Sequence, residues 1–252
     1  MFGHSLTGGV TRGAVFHWFL LAFLSGSVNV GGLLACNRFV THLTGFATLF
    51  GMNVGESRYD AAIGIFSVPV FFLLGVIISG YLIDRPFRRG GKPHYALVMF
   101  LVGVCLVTAS LLGYFHYFGE FGEDLRLKRD YFFLALLCGA SGLQNAAITT
   151  ASGASVRTTH LTGLTTDLGI GIVRAWSLPK HTPEGVAQAK LEWLWARVRL
   201  GTFLSFSAGA AMGALIYVHA HFLGFLLPAG LAFYAMGVAA ISPPRPPSSF
   251  VH

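Results

Sequence analysis

Six apolar runs, each about as long as a bilayer crossing needs, constrain this chain more than any other feature. They cover residues 14–36, 61–83, 95–118, 131–154, 200–219 and 222–241. A span takes roughly 20 apolar residues, and its backbone must satisfy its own hydrogen bonds in hydrocarbon, which predicts helices throughout. The second and third runs carry no formal charge. The fourth begins apolar and then becomes SGLQNAAITTASGA. The last two are separated by little more than His219, Ala220 and His221, which predicts a tight helical hairpin. Charged residues make up only 11% of the chain, against roughly 25% in soluble domains, so a water-covered globule is excluded. The same apolar content excludes disorder over most of the chain.

The net charge of +7 would raise nucleic acid as a partner in a soluble protein. Here the basic residues lie between spans, where they set orientation and meet anionic headgroups. No basic cluster is interleaved with aromatics, so membrane lipid is the expected partner and nucleic acid is not. Cys36, Cys105 and Cys138 all sit inside apolar runs without a CxxC pair. They are expected to be packing residues, with no disulfide framework, metal or cofactor. The first run follows about a dozen polar or small residues without a clear cleavage site and is expected to be a retained span.

Placing the N-terminus in the cytoplasm puts twelve Lys and Arg on that side and five on the other. This favours a multi-pass protein with both termini cytoplasmic. Segments 38–55 and 157–173 are moderately apolar; each can re-enter the membrane, or cross it to give eight spans. Six spans with two re-entrant or half-helical segments is the preferred expectation. Thr182 followed by Pro183 predicts a helix start, and 183–199 reads as an interfacial helix with Leu191, Leu194, Trp195 and Val198 on one face. The implied division is a cytoplasmic N-terminus (1–13), a first membrane repeat (14–118), a connecting loop (119–130), a second membrane repeat (131–241) and a disordered Pro-rich tail (242–252).

The repeats are visible in the residues. Thr41-His42-Leu43-Thr44-Gly45 recurs as Thr159-His160-Leu161-Thr162-Gly163. Upstream, Ser25, Gly26 and Asn29 match Ser141, Gly142 and Asn145; downstream, Gly75 and Ser79 resemble Gly209 and Gly213. THLTG mixes polar types and its flanks align, so duplication explains it better than chance. Three spans per half would insert the halves in opposite directions, as in many secondary transporters; eight spans would make them parallel. The expected fold is therefore an all-α integral membrane protein with about six transmembrane helices. They form two inverted three-helix repeats, each with a re-entrant or broken-helix THLTG segment.

SGSVNVGGLLACNRFVTHLTG and SGLQNAAITTASGASVRTTHLTG resemble the two signature regions of the YoaK-like bacterial inner-membrane proteins, a family defined by a domain of unknown function. The resemblance covers about residues 14–241, and QNA followed by VRTT and TG is its more specific part. It implies about six spans and no established activity. Asn29 stands where the family pattern leads one to expect Asp, and Phe46 where it leads one to expect Asn. The resemblance therefore supports the membrane fold without supplying a substrate.

Asn29 lies about 15 residues into the first span, roughly 22 Å along a helix at 1.5 Å per residue, and Asn145 is about as deep in the fourth. Gly31, Gly32 and Gly153 are expected to break or bend these spans inside the membrane. Broken helices expose backbone groups that can hold ions or carboxylates. Thr41, Thr44, Thr159 and Thr162 add hydroxyls, while Gly45 and Gly163 permit close approach or a helix start. Gln144 belongs to the same signature. His42 and His160 can carry protons near neutral pH, or simply hydrogen-bond. Asp167 is the single acid in the motif segments; it can couple ions or be neutralised by Arg157 or Arg174. Arg157 can attract an anionic solute or anchor at the interface.

These thirteen positions define an expected substrate or ion path: Asn29, Thr41, His42, Thr44, Gly45, Gln144, Asn145, Arg157, Thr159, His160, Thr162, Gly163 and Asp167. The expected function is a small-solute transporter or channel, with proton coupling as one form and a mid-membrane site between the repeats. A structural or partner-binding subunit is the alternative, and glycine-rich spans also allow a homo-oligomer. An enzyme is not expected: no nucleophile flanks either histidine, and no HExxH, paired carboxylates or phosphate loop occurs.

Overall fold

Long apolar stretches without internal caps give long helices, and helix dominates what a computed structural model describes, residues 11–41, 43–123, 128–154 and 156–241. In chain order the helices are α1 (Arg12–Cys36), α2 (Leu43–Gly55), α3 (Tyr59–Ile65), α4 (Ser67–Leu82) and α5 (Asp84–Arg88). They continue as α6 (Tyr95–Tyr114), α7 (Lys128–Ala151), α8 (Leu161–Ser177), α9 (Pro183–Ala220) and α10 (Leu226–Ile241). No strand occurs among the described residues. Among the described residues five stretches are long and apolar enough to cross a membrane, and the fifth, Pro183–Ile241, contains both α9 and α10. The tail 242–252 and His42 lie outside the described residues.

Four of these elements differ from what the sequence suggests. α1 runs unbroken past Asn29, Gly31 and Gly32 to Cys36, and α7 runs past Asn145 to Ala151. Glycine weakens a helix by only about 1 kcal/mol, and the surrounding helices supply the packing that holds these turns. The chain instead leaves helix between Cys36 and Leu43 and between Ala151 and Leu161. Asn37 turns left-handed at the first exit and Gly153, at φ +60°, at the second. The segment 183–199 opens one continuous helix of 38 residues. Thr182 caps it, accepting from the Gly185 N–H at 3.1 Å, with Pro183 in the first turn. Trp195 and Val198 are buried while Leu191 is exposed. α10 packs along α6 and against α1 rather than against α9, so the last two spans form an open corner at the 3-10 turn His221–Phe225.

Small residues decide how the helices meet. α1 packs along α9, and α4 along α7. A Cβ added to Gly26 would strike the Phe206 carbonyl, and one added to Gly209 would strike that of Phe23. On the other pair, Gly142 faces the Phe72 carbonyl and Gly75 that of Gly139. Without a hydrophobic force between helices in lipid, such backbone approach and the van der Waals contact it allows provide the attraction.

Contact order fixes helix direction. Phe19 meets Gly201, Ser27 meets Gly213 and Gly31 meets Tyr217, so α1 and α9 are parallel. Tyr131 meets Gly64 and Gly139 meets Gly75, so α7 is parallel to α3 and α4. Gly103 meets Phe233 and Gly113 meets Phe222, so α10 is antiparallel to α6. Phe225, beside Gly31 near the end of α1, also lies 5.7 Å from Phe133 near the start of α7, so α1 and α7 run oppositely. An aromatic cluster of Tyr217, Phe222, Phe225, Phe118 and Phe133 closes that end. The outer faces stay apolar: Leu73, Leu74, Ile77 and Ile78 of α4 are all exposed, as suits a multi-span protein surrounded by acyl chains.

Candidate functional site

The two signature asparagines do the same structural work. Asn29, in the latter half of α1, accepts the Thr41 N–H on Oδ1 at 3.2 Å. Asn145, in α7, accepts the Thr158 hydroxyl on Oδ1 at 3.5 Å. Each amide thus ties the extended residues before the next helix back to the span they just left. Thr149 donates to the Asn145 carbonyl at 2.7 Å. Ser152 bridges the turn, donating to the Val156 carbonyl at 3.2 Å and accepting the Val156 N–H at 3.0 Å. A polar side chain inside a span must find a partner, and both asparagines find it in the backbone or hydroxyl of the segment leading into THLTG.

Between these signatures lies a cleft of about 610 Å³. The first half contributes Asn29 and Thr41; the second contributes Asn145, Arg157, Thr159, His160 and Thr162. Thr149 and Thr150 add hydroxyls from the last turns of α7. Phe72 and Val76 of α4 and Phe206 of α9 give it apolar walls. Asp84, at the start of α5, also faces it. A smaller adjoining cavity of about 250 Å³ shares Asp84, Thr149 and Thr150, and adds Arg88 and Tyr95.

The charges are arranged unevenly. Arg88 Nε lies 2.7 Å from Asp84 Oδ2, so the carboxylate facing the cleft is already paired. Arg157 is exposed and has no ion-pair partner among the described residues. α8 starts at the cleft wall. His160 precedes it without a side-chain cap bond, and Leu164 is the first residue whose N–H reaches an intrahelical carbonyl, at 3.0 Å to His160. The N–H groups of Leu161, Thr162 and Gly163 therefore lack an intrahelical partner. Gly163 has a steric reason to be glycine: its Cβ would sit 2.6 Å from Nδ1 of His160, whose ring folds over the first turn.

Other expected path residues lie elsewhere. Gln144 is buried between α1 and α7; Nε2 donates to the Leu21 carbonyl at 2.6 Å and Oε1 accepts from Ser25 at 3.2 Å. Gly45 sits in the first turns of α2, where an added Cβ would meet Phe39 at 3.7 Å. Asp167 is exposed on α8, its carbonyl accepting from Arg199 Nη1 at 3.2 Å; it makes no ion pair with Arg157 or Arg174 among the described residues. Thr44 belongs to α2, and His42 lies outside the described residues. Asp84 was not singled out from the sequence. Its signal was there: an acid ending an apolar run with an arginine four residues on, Ile83-Asp84-Arg85-Pro86-Phe87-Arg88. Among the described residues no group of three His, Cys, Asp or Glu side chains could hold a metal ion.

A family model described as "Protein of unknown function (DUF1275)" matches residues 17–238, which takes in both signature regions and every residue lining the cleft. No curated protein and no solved structure matches the chain.

Proposed function

The chain belongs to the DUF1275 family, the YoaK-like membrane proteins of unknown function, and on that premise we propose that it binds a small polar solute in the cleft between its two signature regions and carries it across the membrane. The carrying observation is one cavity walled by Asn29 and Thr41 on one side and by Asn145, Thr159, His160 and Thr162 on the other. At about 610 Å³ it falls within the size of small-molecule sites, roughly 300–1,000 Å³.

An inverted repeat fits the geometry. Gly26 against the Phe206 carbonyl has its counterpart in Gly142 against that of Phe72. α1 and α7 run oppositely, and each is followed by an extended segment tied to its asparagine. We read those directions as supporting six crossings, with α2 and α8 as re-entrant elements at opposite ends. Rocking one half on the other would then open the cleft to either side. The end carrying Arg85, Arg88, Arg89 and Lys92 is the cytoplasmic one on the positive-inside rule. His160 in the wall is the group through which a proton would couple.

The test is reconstitution. A solute that raises the thermal midpoint of the purified protein should lose that effect in Asn145→Ala and Thr162→Ala, and should enter proteoliposomes faster than empty liposomes. If no solute in a broad library and no pH gradient changes flux, transport is overturned.

A further inference from the structure

Resting on the solute-site reading above, we infer that the cleft takes a small organic anion, with a carboxylate or phosphate head held at Arg157 and a less polar body against Phe72, Val76 and Phe206.

The sign of the site follows from counting what faces it. Two formally charged side chains line the cleft, Asp84 and Arg157. Asp84 is neutralised by Arg88 at 2.7 Å. Arg157 has no such partner among the described residues, so the unbalanced charge is positive. Apart from His160, the remaining polar groups are amides and hydroxyls, which favour neither sign. The three unpaired N–H groups at the start of α8 point the same way, since a helix N-terminus favours anions. A cation would find one carboxylate in the lining, and that carboxylate is paired with Arg88.

Arginine suits the task because its planar fork meets a carboxylate or phosphate through two parallel hydrogen bonds. The apolar walls at Phe72, Val76 and Phe206 favour a solute with an organic body over a bare inorganic ion.

The experiment titrates the protein in phosphatidylcholine nanodiscs with four panels: carboxylates, organic phosphates, neutral polyols and amides, and organic ammonium ions. Binding is read by calorimetry and by thermal midpoint. Anions should bind, and Arg157→Gln should weaken them by about tenfold or more, the loss of a charge-assisted pair. Arg157→Lys should lie between, because charge remains while the fork is lost. Both variants should keep the unliganded midpoint, since Arg157 is exposed. If neutral or cationic solutes bind as well and Arg157→Gln leaves them unchanged, the anion inference is overturned while the solute site stands. If nothing from any panel binds, both fall. A parallel arm uses phosphatidylglycerol nanodiscs. An Arg157-dependent stabilisation there, with no soluble anion binding, would support the anion site as a lipid headgroup site and overturn transport of a soluble solute.

Discussion

At the scale of single residues, the signature asparagines earn their place by geometry before any solute is considered. Thr41 is buried, and Asn29 Oδ1 is the acceptor for its N–H. Asn29→Leu would leave that donor unpaired and should destabilise the protein by about 1–3 kcal/mol. Asn29→Asp keeps the acceptor and restores the residue the family pattern suggests at this position. It should therefore fold with a thermal midpoint much closer to that of the unaltered protein. An Asn29→Leu midpoint equal to that of the unaltered protein, measured by unfolding in detergent, would mean the bond to Thr41 contributes nothing. Gln144 shows the limit of reading polar residues from sequence. Its depth in a span suggests a path residue, but both ends of its amide are occupied between α1 and α7. Sequence places a side chain along a helix; which face it takes depends on neighbours more than a hundred positions away.

At the scale of elements, close approach is the controlling quantity. Gly26→Ala would push a methyl into the Phe206 carbonyl, and Gly142→Ala into that of Phe72. Neither obstacle is a flexible side-chain end, so α1 must move off α9, or α7 off α4. Each variant should lose about 1–3 kcal/mol, as for overpacking in a dense core. Gly230→Ala in α10, where nothing lies within 4 Å, should be neutral or gain up to about 1 kcal/mol of helix propensity. The comparison is made on thermal midpoints in one detergent, and a Gly26→Ala midpoint matching that of Gly230→Ala would refute the packing argument. Element existence was legible because apolar run length maps directly to span length. The position of the breaks was not. Gly31 and Gly32 read as helix breakers, yet Gly31 fits against Tyr217 and Gly32 against Val40. The same residue type serves flexibility in one context and packing in another, and only the partner helix decides.

At the scale of the whole molecule, the two halves share their packing and differ in their polarity. Positions matched between the two halves make this visible. Thr149 and Thr150 in the second half correspond to Leu33 and Leu34 in the first, on the offset that pairs Asn145 with Asn29. Asp84 corresponds to Val218, on the offset that pairs Gly75 with Gly209. The hydroxyls and charges of the cleft thus gather on one end of the bundle. The paired THLTG motifs and their flanks were legible in the sequence; the one-sidedness was not, because Asp84 lies outside both signatures and joins the site only through the packing of α4 on α7. This arrangement rests on the halves being inverted, and sidedness tests that directly. With Cys36, Cys105 and Cys138 replaced by alanine, single cysteines are placed at Ser57, between α2 and α3, and at Ser177, at the end of α8. Both positions are exposed. An impermeant thiol reagent applied to sealed, oriented vesicles should label one site from outside and the other only after permeabilisation. Labelling of both from the same side would require α2 and α8 to cross the bilayer and the halves to run parallel. The cleft would then no longer join equivalent surfaces of two inverted units, and alternating access by rocking would lose its structural basis.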